Sequence, residues 1–83
     1  MTLEELRSQI DTIDRDIVRL IARRVILSRE IGALKNEKGM GIEDKNREKT
    51  VLESITRLAE QEGMDAAELS NIYRHIIAAS KNI

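Results

Sequence analysis

The sequence has 83 residues, the size of one small domain, so residues 1–83 are treated as a single domain. It contains no Cys, Pro, Phe or Trp. The absence of Cys excludes a disulfide scaffold, a thiolate nucleophile and a Cys-ligated metal site. Fourteen Lys and Arg against fifteen Asp and Glu give a net charge of −1, without the basic excess typical of proteins that bind nucleic acid or anionic membranes.

The uncharged runs are much shorter than a membrane span. The acidic start, with Glu4 and Glu5, is unlike a signal peptide. With no Pro and four Gly, turns must be few, which argues against a sandwich or barrel. We therefore expect a soluble, cytoplasmic, helical protein.

The first predicted helix runs from about residue 3 to about residue 37. Its apolar residues recur every three or four positions, a repeat typical of a helix packed along a seam. The pattern is broken at Arg24, where an apolar residue is expected. Thr2 and Glu5 are expected to form a capping box at the start of this helix, and Gly39 is expected to end it. The repeat comprises Leu3, Leu6, Ile10, Ile13, Ile17, Leu20, Leu27, Ile31 and Leu34.

This helix would be roughly 50 Å long. A compact domain of this size has a radius of gyration of only about 12 Å, so the residues after Gly39 are too few to cover the helix. We therefore expect an obligate homodimer in which the long helices of two copies run alongside each other.

Two shorter helices are predicted after a loop at Gly39-Met40-Gly41. Asp44 would cap the second helix, which Gly63 closes, and a capping box from Asp65 to Glu68 would open the third. The predicted fold class is all-α: one long and two short helices in an intertwined homodimeric helical bundle. The apolar faces comprise Val51, Leu52, Ile55 and Leu58 in the second helix, and Leu69, Ile72, Tyr73, Ile76 and Ile77 in the third.

Burying the Arg24 guanidinium costs free energy unless an anion pairs with it. That anion could be Glu30, a carboxylate of the second chain, or a ligand. Lys35 lies eleven residues further on, within about 20° of Arg24 around the helix and about 16 Å along it. The two cations could hold one small anion from both ends, with Ser28 leaving room between them, although a lysine near a helix C-terminus is also explained as a dipole partner.

Further candidates lie at the start of the second helix and the end of the third. Arg47 is unfavourable for the dipole in a first helical turn, which indicates another role. Asp44 and Glu48 are equally well explained as a cap and a dipole match. Ser80 is on the inward face of the third helix, where a serine usually bonds a helix carbonyl.

Arg7 is about 26 Å from Arg24 along the helix. It can join the same site only from the partner chain of an antiparallel dimer. The combined site would have a surplus of two positive charges, suited to a small dianion, from Arg7, Arg24, Lys35 and Arg47 against Asp44 and Glu48.

Over essentially its whole length the chain resembles the all-helical class of chorismate mutases. Four segments carry the resemblance in register: LRSQIDTIDRDIVRLIARR, SREIGALK, EDKNREK and HIIAAS. The resemblance implies an intertwined dimer of three-helix subunits with two active sites shared between the chains. It also implies the reaction, the conversion of chorismate to prephenate by an intramolecular Claisen rearrangement in phenylalanine and tyrosine biosynthesis, without a cofactor.

The resemblance also assigns roles to seven residues: Arg7, Arg24, Lys35, Asp44, Arg47, Glu48 and Ser80. Arg24 and Ser80 would bind a substrate carboxylate, and Arg7 would reach one in the partner's site. Lys35 would contact the ether oxygen and a carboxylate, and Glu48 would hold the ring hydroxyl. The remaining two residues would line the pocket.

The sequence departs from the family at two points. The critical arginine often follows a Glu, but Arg23 stands there and is a rival for the role of Arg24. The family usually places Gln or Glu one turn after the serine, at position 84, beyond Ile83. Lys35 alone would then stabilise the ether oxygen, or a partner protein such as an aromatic-pathway enzyme would complete the site, or catalysis would be weak.

Two alternative functions remain open. Isochorismate-pyruvate lyases have a similar fold and cationic pocket. A helical dimerisation or regulatory module could keep the fold without activity.

Overall fold

The computed structural model describes residues 1–39 and 45–81, which form three α-helices. These are α1 (Leu3–Glu37), α2 (Lys45–Gln61) and α3 (Ala66–Lys81). No strand occurs among the described residues, and the predicted all-α fold class is confirmed. The predicted cap at Asp44 lies outside the described residues, as does most of the predicted loop before it.

Two of the predicted caps explain where α1 and α3 begin. The Thr2 hydroxyl accepts a hydrogen bond from the Glu5 backbone N–H (3.1 Å), and the Glu5 carboxylate accepts one from the Thr2 N–H (3.4 Å). At α3, Asp65 Oδ1 accepts from the N–H groups of Ala67 (2.9 Å) and Glu68 (3.1 Å). These bonds satisfy backbone donors that have no partner in the first helical turn.

The end of α2 depends on Gly63, as predicted. Gly63 has a φ of +70°, which lies in the left-handed region of backbone conformation. Residues with a Cβ adopt this conformation only at a cost in free energy. Its N–H donates to the Glu60 carbonyl (3.1 Å), and the Met64 N–H donates to the Ala59 carbonyl (2.8 Å). These two bonds form a Schellman motif, which turns the chain into α3.

The helix α3 packs against both α1 and α2. The buried residues of the described chain are Ala59, Ile77 and Ser80, so the core of one protomer is very small. Leu58 and Ile72, which the sequence assigns to the apolar faces of the second and third helices, are 49% and 54% exposed in the single chain. The face of α3 that includes Ile77 and Ser80 is turned inward, which leaves Ile72 on its flank. Within the described residues, no helix has both the length and the apolar composition that a membrane span requires.

The N-terminal half of α1 extends away from the other helices. Residues 1–20 are all exposed, whereas the half-buried positions of this helix begin at Ile21. The molecule is elongated, 55 Å along its longest axis with a radius of gyration of 15.9 Å. The predicted apolar stripe lies open on this arm, and the second chain that would cover it stays a prediction.

Replacing Gly63 tests the turn between α2 and α3. Gly63→Ala should lower the free energy of unfolding by about 1 kcal/mol, because a Cβ is strained at a positive φ. Gly63→Asn should cost less, since Asn tolerates this conformation better. Urea unfolding at one fixed protein concentration measures both changes, and equal losses for Ala and Asn would contradict this account.

Candidate active site

One pocket lies between the C-terminal half of α1, the start of α2 and the end of α3. Its volume is about 300 Å³, which suits a small molecule. Apolar side chains form part of its wall, and charged groups converge on it from all three helices. The lining residues are Arg24, Leu27, Ser28, Ile31, Gly32, Lys35, Arg47, Glu48, Val51, Ile77, Ser80 and Lys81.

The structure brings together most of the residues that the sequence predicts for the site. Arg24, Lys35, Arg47, Glu48 and Ser80 all line this pocket. Of the other two predicted residues, Arg7 lies on the exposed arm of α1, away from this pocket, and Asp44 lies outside the described residues. The prediction that Arg7 cannot reach Arg24 within one chain agrees with this placement.

Arg24 is held by the end of α3. Its Nη1 donates a 2.7 Å hydrogen bond to the Ser80 hydroxyl, which donates to the Ile76 carbonyl (2.9 Å). Ser80 is therefore both bonded to a helix carbonyl and part of the site, and it is only 3% exposed. Among residues 1–39 and 45–81, Arg24 forms no ion pair with Glu30, so that explanation of the arginine is wrong.

Tyr73 supports the same guanidinium from a second direction. The Arg24 Cζ lies 5.2 Å from the centroid of the Tyr73 ring, within the range of a cation–π contact. From the sequence, Tyr73 is expected only on the apolar face of the third helix. Its spacing of seven residues from Ser80 places both on one face of α3, which is the signal that could have identified it.

Lys35 and Gly32 occupy the same side of α1 as Arg24. Arg24 and Lys35 are half-buried and line one pocket, as their eleven-residue spacing predicts. Apart from its chain neighbours and the backbone of its own helix, no atom lies within 4 Å of the point where a Cβ on Gly32 would stand. The glycine thus leaves open space between the two cations.

Lys81 lines the pocket but is not among the site residues predicted from the sequence. Its Nζ forms an ion pair with Oε1 of Glu48, which joins the end of α3 to the first turn of α2. Its spacing of four residues from buried Ile77 is the signal that could have placed it inward. With Lys81 included, four cationic side chains and one carboxylate line the described pocket. The arrangement favours a small ligand with more than one negative charge.

The Tyr73 contact predicts different effects for two substitutions. Tyr73→Leu should lower the free energy of unfolding by about 1 kcal/mol, because it removes the aromatic face beneath Arg24. Tyr73→Phe keeps that face and should stay within about 0.5 kcal/mol of the original chain. Urea unfolding at a fixed protein concentration measures both, and a Phe variant as unstable as the Leu variant would argue against the cation–π contact.

Comparison with known proteins identifies the family of the chain. Residues 6–83 match the family model described as chorismate mutase type II. The chain is 34% identical over 79 residues to a chorismate mutase of Methanocaldococcus jannaschii, covering 95% of this chain and 80% of the relative. It is 40% identical over 80 residues to a bifunctional chorismate mutase/prephenate dehydratase of Aquifex aeolicus, covering 93% of this chain and 22% of the relative.

A third relative is the T-protein of Haemophilus influenzae, 32% identical over 78 residues, covering 94% of this chain and 21% of the relative. The chain thus spans most of the M. jannaschii protein and about a fifth of the two longer ones. The match to the family model covers nearly the whole sequence. The chain belongs to the chorismate mutase type II family.

Proposed function

We propose that this chain is a chorismate mutase, which converts chorismate to prephenate by an intramolecular Claisen rearrangement. The observation that carries the proposal is the convergence of Arg24, Lys35 and Arg47 on one small pocket in a chain of this family. Chorismate is a small dianion, and a pocket lined by several cations suits it. The names of the M. jannaschii and A. aeolicus relatives support the same reaction.

The proposed reaction breaks a C–O bond and forms a C–C bond within one molecule, with no nucleophile and no proton transfer. The protein must therefore hold both carboxylates so that the reacting carbons approach each other in a chair-like conformer. It must also place a positive donor where negative charge grows on the ether oxygen. Side chains supply both functions, so the proposal includes no cofactor.

The roles of the pocket residues follow from their positions. Arg24, fixed by Ser80 and Tyr73, is oriented to bind a carboxylate through its planar guanidinium. Lys35 approaches from the far end of the same helix face and acts as the point charge at the ether oxygen. Glu48 accepts a hydrogen bond from the ring hydroxyl. In this proposal Lys35, Arg24 and Glu48 are catalytic, and Arg47, Ser80 and Asp44 complete the substrate contacts.

The proposal includes a homodimer with active sites shared between the chains. The described part of α1 has no buried residue, and its stripe from Leu3 to Leu20 is exposed along the arm. Burial of such a stripe is the main source of stability for long helices in water. An antiparallel second copy would cover the stripe and bring Arg7 of the partner subunit to the pocket.

We further propose that the enzyme is cytoplasmic and acts in phenylalanine and tyrosine biosynthesis. The name of the A. aeolicus relative joins a mutase to a prephenate dehydratase in one protein. This pairing supports an aromatic-pathway enzyme, one that consumes prephenate, as a partner of this chain. A turnover assay of the chain alone shows whether such a partner is needed for activity.

The direct test is the turnover of chorismate by the purified chain, with identification of the product. Lys35→Ala should lower kcat/KM by about 10²- to 10³-fold, because the positive donor at the ether oxygen is lost. Its free energy of unfolding should change by less than about 1 kcal/mol. The control is Lys38→Ala, which removes an exposed charge next to the end of α1 and outside the pocket, and should keep normal turnover.

Near-normal turnover in Lys35→Ala would overturn the role of that residue. Prephenate formation no faster than the uncatalysed rate in the original chain would overturn the proposed function. Isochorismate is assayed in parallel, and pyruvate release from it without chorismate turnover would favour the lyase instead.

A substitution on the apolar stripe tests the dimer. Ile17→Asp should convert the dimer to a monomer or unfolded chain and abolish turnover, because a buried carboxylate without a partner is strongly destabilising. Ala22→Asp introduces the same side chain on the opposite side of α1 and should keep both the dimer and the activity. Analytical ultracentrifugation gives the mass, and a monomeric original chain with full activity would contradict the shared site.

A further inference from the structure

Lys81 has no role in the mechanism described so far, yet it lines the pocket. It belongs to the last turn of α3, directly after Ser80. Ser80 holds Arg24 on α1, whereas Lys81 contacts Glu48 on α2. One turn of α3 thus fixes a charged group on each of the other two helices.

The ion pair engages a specific atom of the glutamate. Oε1 of Glu48 is shielded from solvent and contacts the Lys81 ammonium. The two side chains are 34% and 31% exposed for Lys81 and Glu48, respectively, so the pair is screened less than one at the open surface. The second carboxylate oxygen, Oε2, is then the one that can accept a hydrogen bond from a ligand.

Glu48 shares the pocket with the three cations that bind the substrate in the proposed mechanism, Arg24, Lys35 and Arg47. A carboxylate on a flexible side chain can pair with Arg24, Lys35 or Arg47 as well as a ligand can, and would then compete with the ligand. A fourth cation that forms an ion pair with the Glu48 carboxylate keeps it from pairing with the other three cations, and so removes this competition. Lys81 is placed to act as this fourth cation, because its ammonium contacts the Glu48 carboxylate.

We propose that Lys81 is a positioning residue, whose ion pair holds the Glu48 carboxylate towards the substrate hydroxyl and away from the cations that bind the substrate carboxylates. This inference rests on the proposed function. Lys81 acts through Glu48 and does not itself contact the reacting atoms. Its removal should therefore affect substrate binding more than the chemical step.

The test is steady-state kinetics of the full chain with chorismate as substrate. Lys81→Met, which keeps a long unbranched side chain without the charge, should raise KM about tenfold, as expected for the loss of one charge-assisted contact. The value of kcat should change less than about threefold. Lys81→Arg should restore KM to within about threefold, because the ion pair is kept.

Two controls show whether the effect passes through the glutamate. Lys49→Met removes an exposed lysine next to Glu48 on α2 but outside this pocket, and should leave KM within about twofold. In a Glu48→Gln background, Lys81→Met should change KM by less than about twofold, since no carboxylate is left to compete. An unchanged KM in the single variant, or an equal rise in both backgrounds, would overturn the proposal.

The melting temperatures of the original chain, Lys81→Met, Glu48→Gln and the double variant form a thermodynamic cycle without substrate. Non-additive shifts support the ion pair, and additive shifts overturn the proposal whatever the activity of the original chain. Absence of turnover in the original chain together with non-additive shifts identifies a failure of the proposed function and not of the ion pair. A lower melting temperature of Lys81→Met with unchanged KM identifies a purely structural lysine and also overturns the proposal.

Discussion

The length of α1 is the constraint on which the rest of the structure depends. A helix of 35 residues extends far beyond two helices of 17 and 16 residues, so only its C-terminal half can pack within its own chain. That half forms one wall of the pocket, while the apolar stripe continues along the exposed half. A single helix therefore carries two distinct surfaces, a pocket wall lined by cations and an exposed apolar stripe.

The pocket collects positive charge at little cost of desolvation because its cations have polar partners or remain partly in solvent. The Arg24 guanidinium is bonded to Ser80 and stacked on Tyr73, so it stays oriented when no anion is bound. Such pre-organisation is the basis of electrostatic catalysis, since charged groups need not rearrange as the transition state forms. The polar and aromatic partners on α3 thus orient the Arg24 guanidinium at the pocket wall.

The features that could be predicted from the sequence are those set by residue spacing within one helix. The α1 periodicity, the caps at Thr2 and Asp65 and the shared face of Arg24 and Lys35 follow from local spacing, and the structure confirms them. The contacts that the sequence missed lie between helices. The spacing within α3 could place Tyr73 and Lys81 inward, but only the packing of α3 against α1 and α2 shows that they meet Arg24 and Glu48.

Gly32 has a consequence beyond local flexibility. In the middle of a helix a glycine costs about 1 kcal/mol relative to alanine, and the structure leaves the space above it empty and part of the pocket. A methyl group there would meet no atom beyond the adjacent residues and the backbone of its own helix, yet it would occupy volume between the two cations of α1. Under the proposed function, the helix forgoes stability at Gly32 in exchange for space that the substrate uses, which is a trade-off between stability and activity at one position.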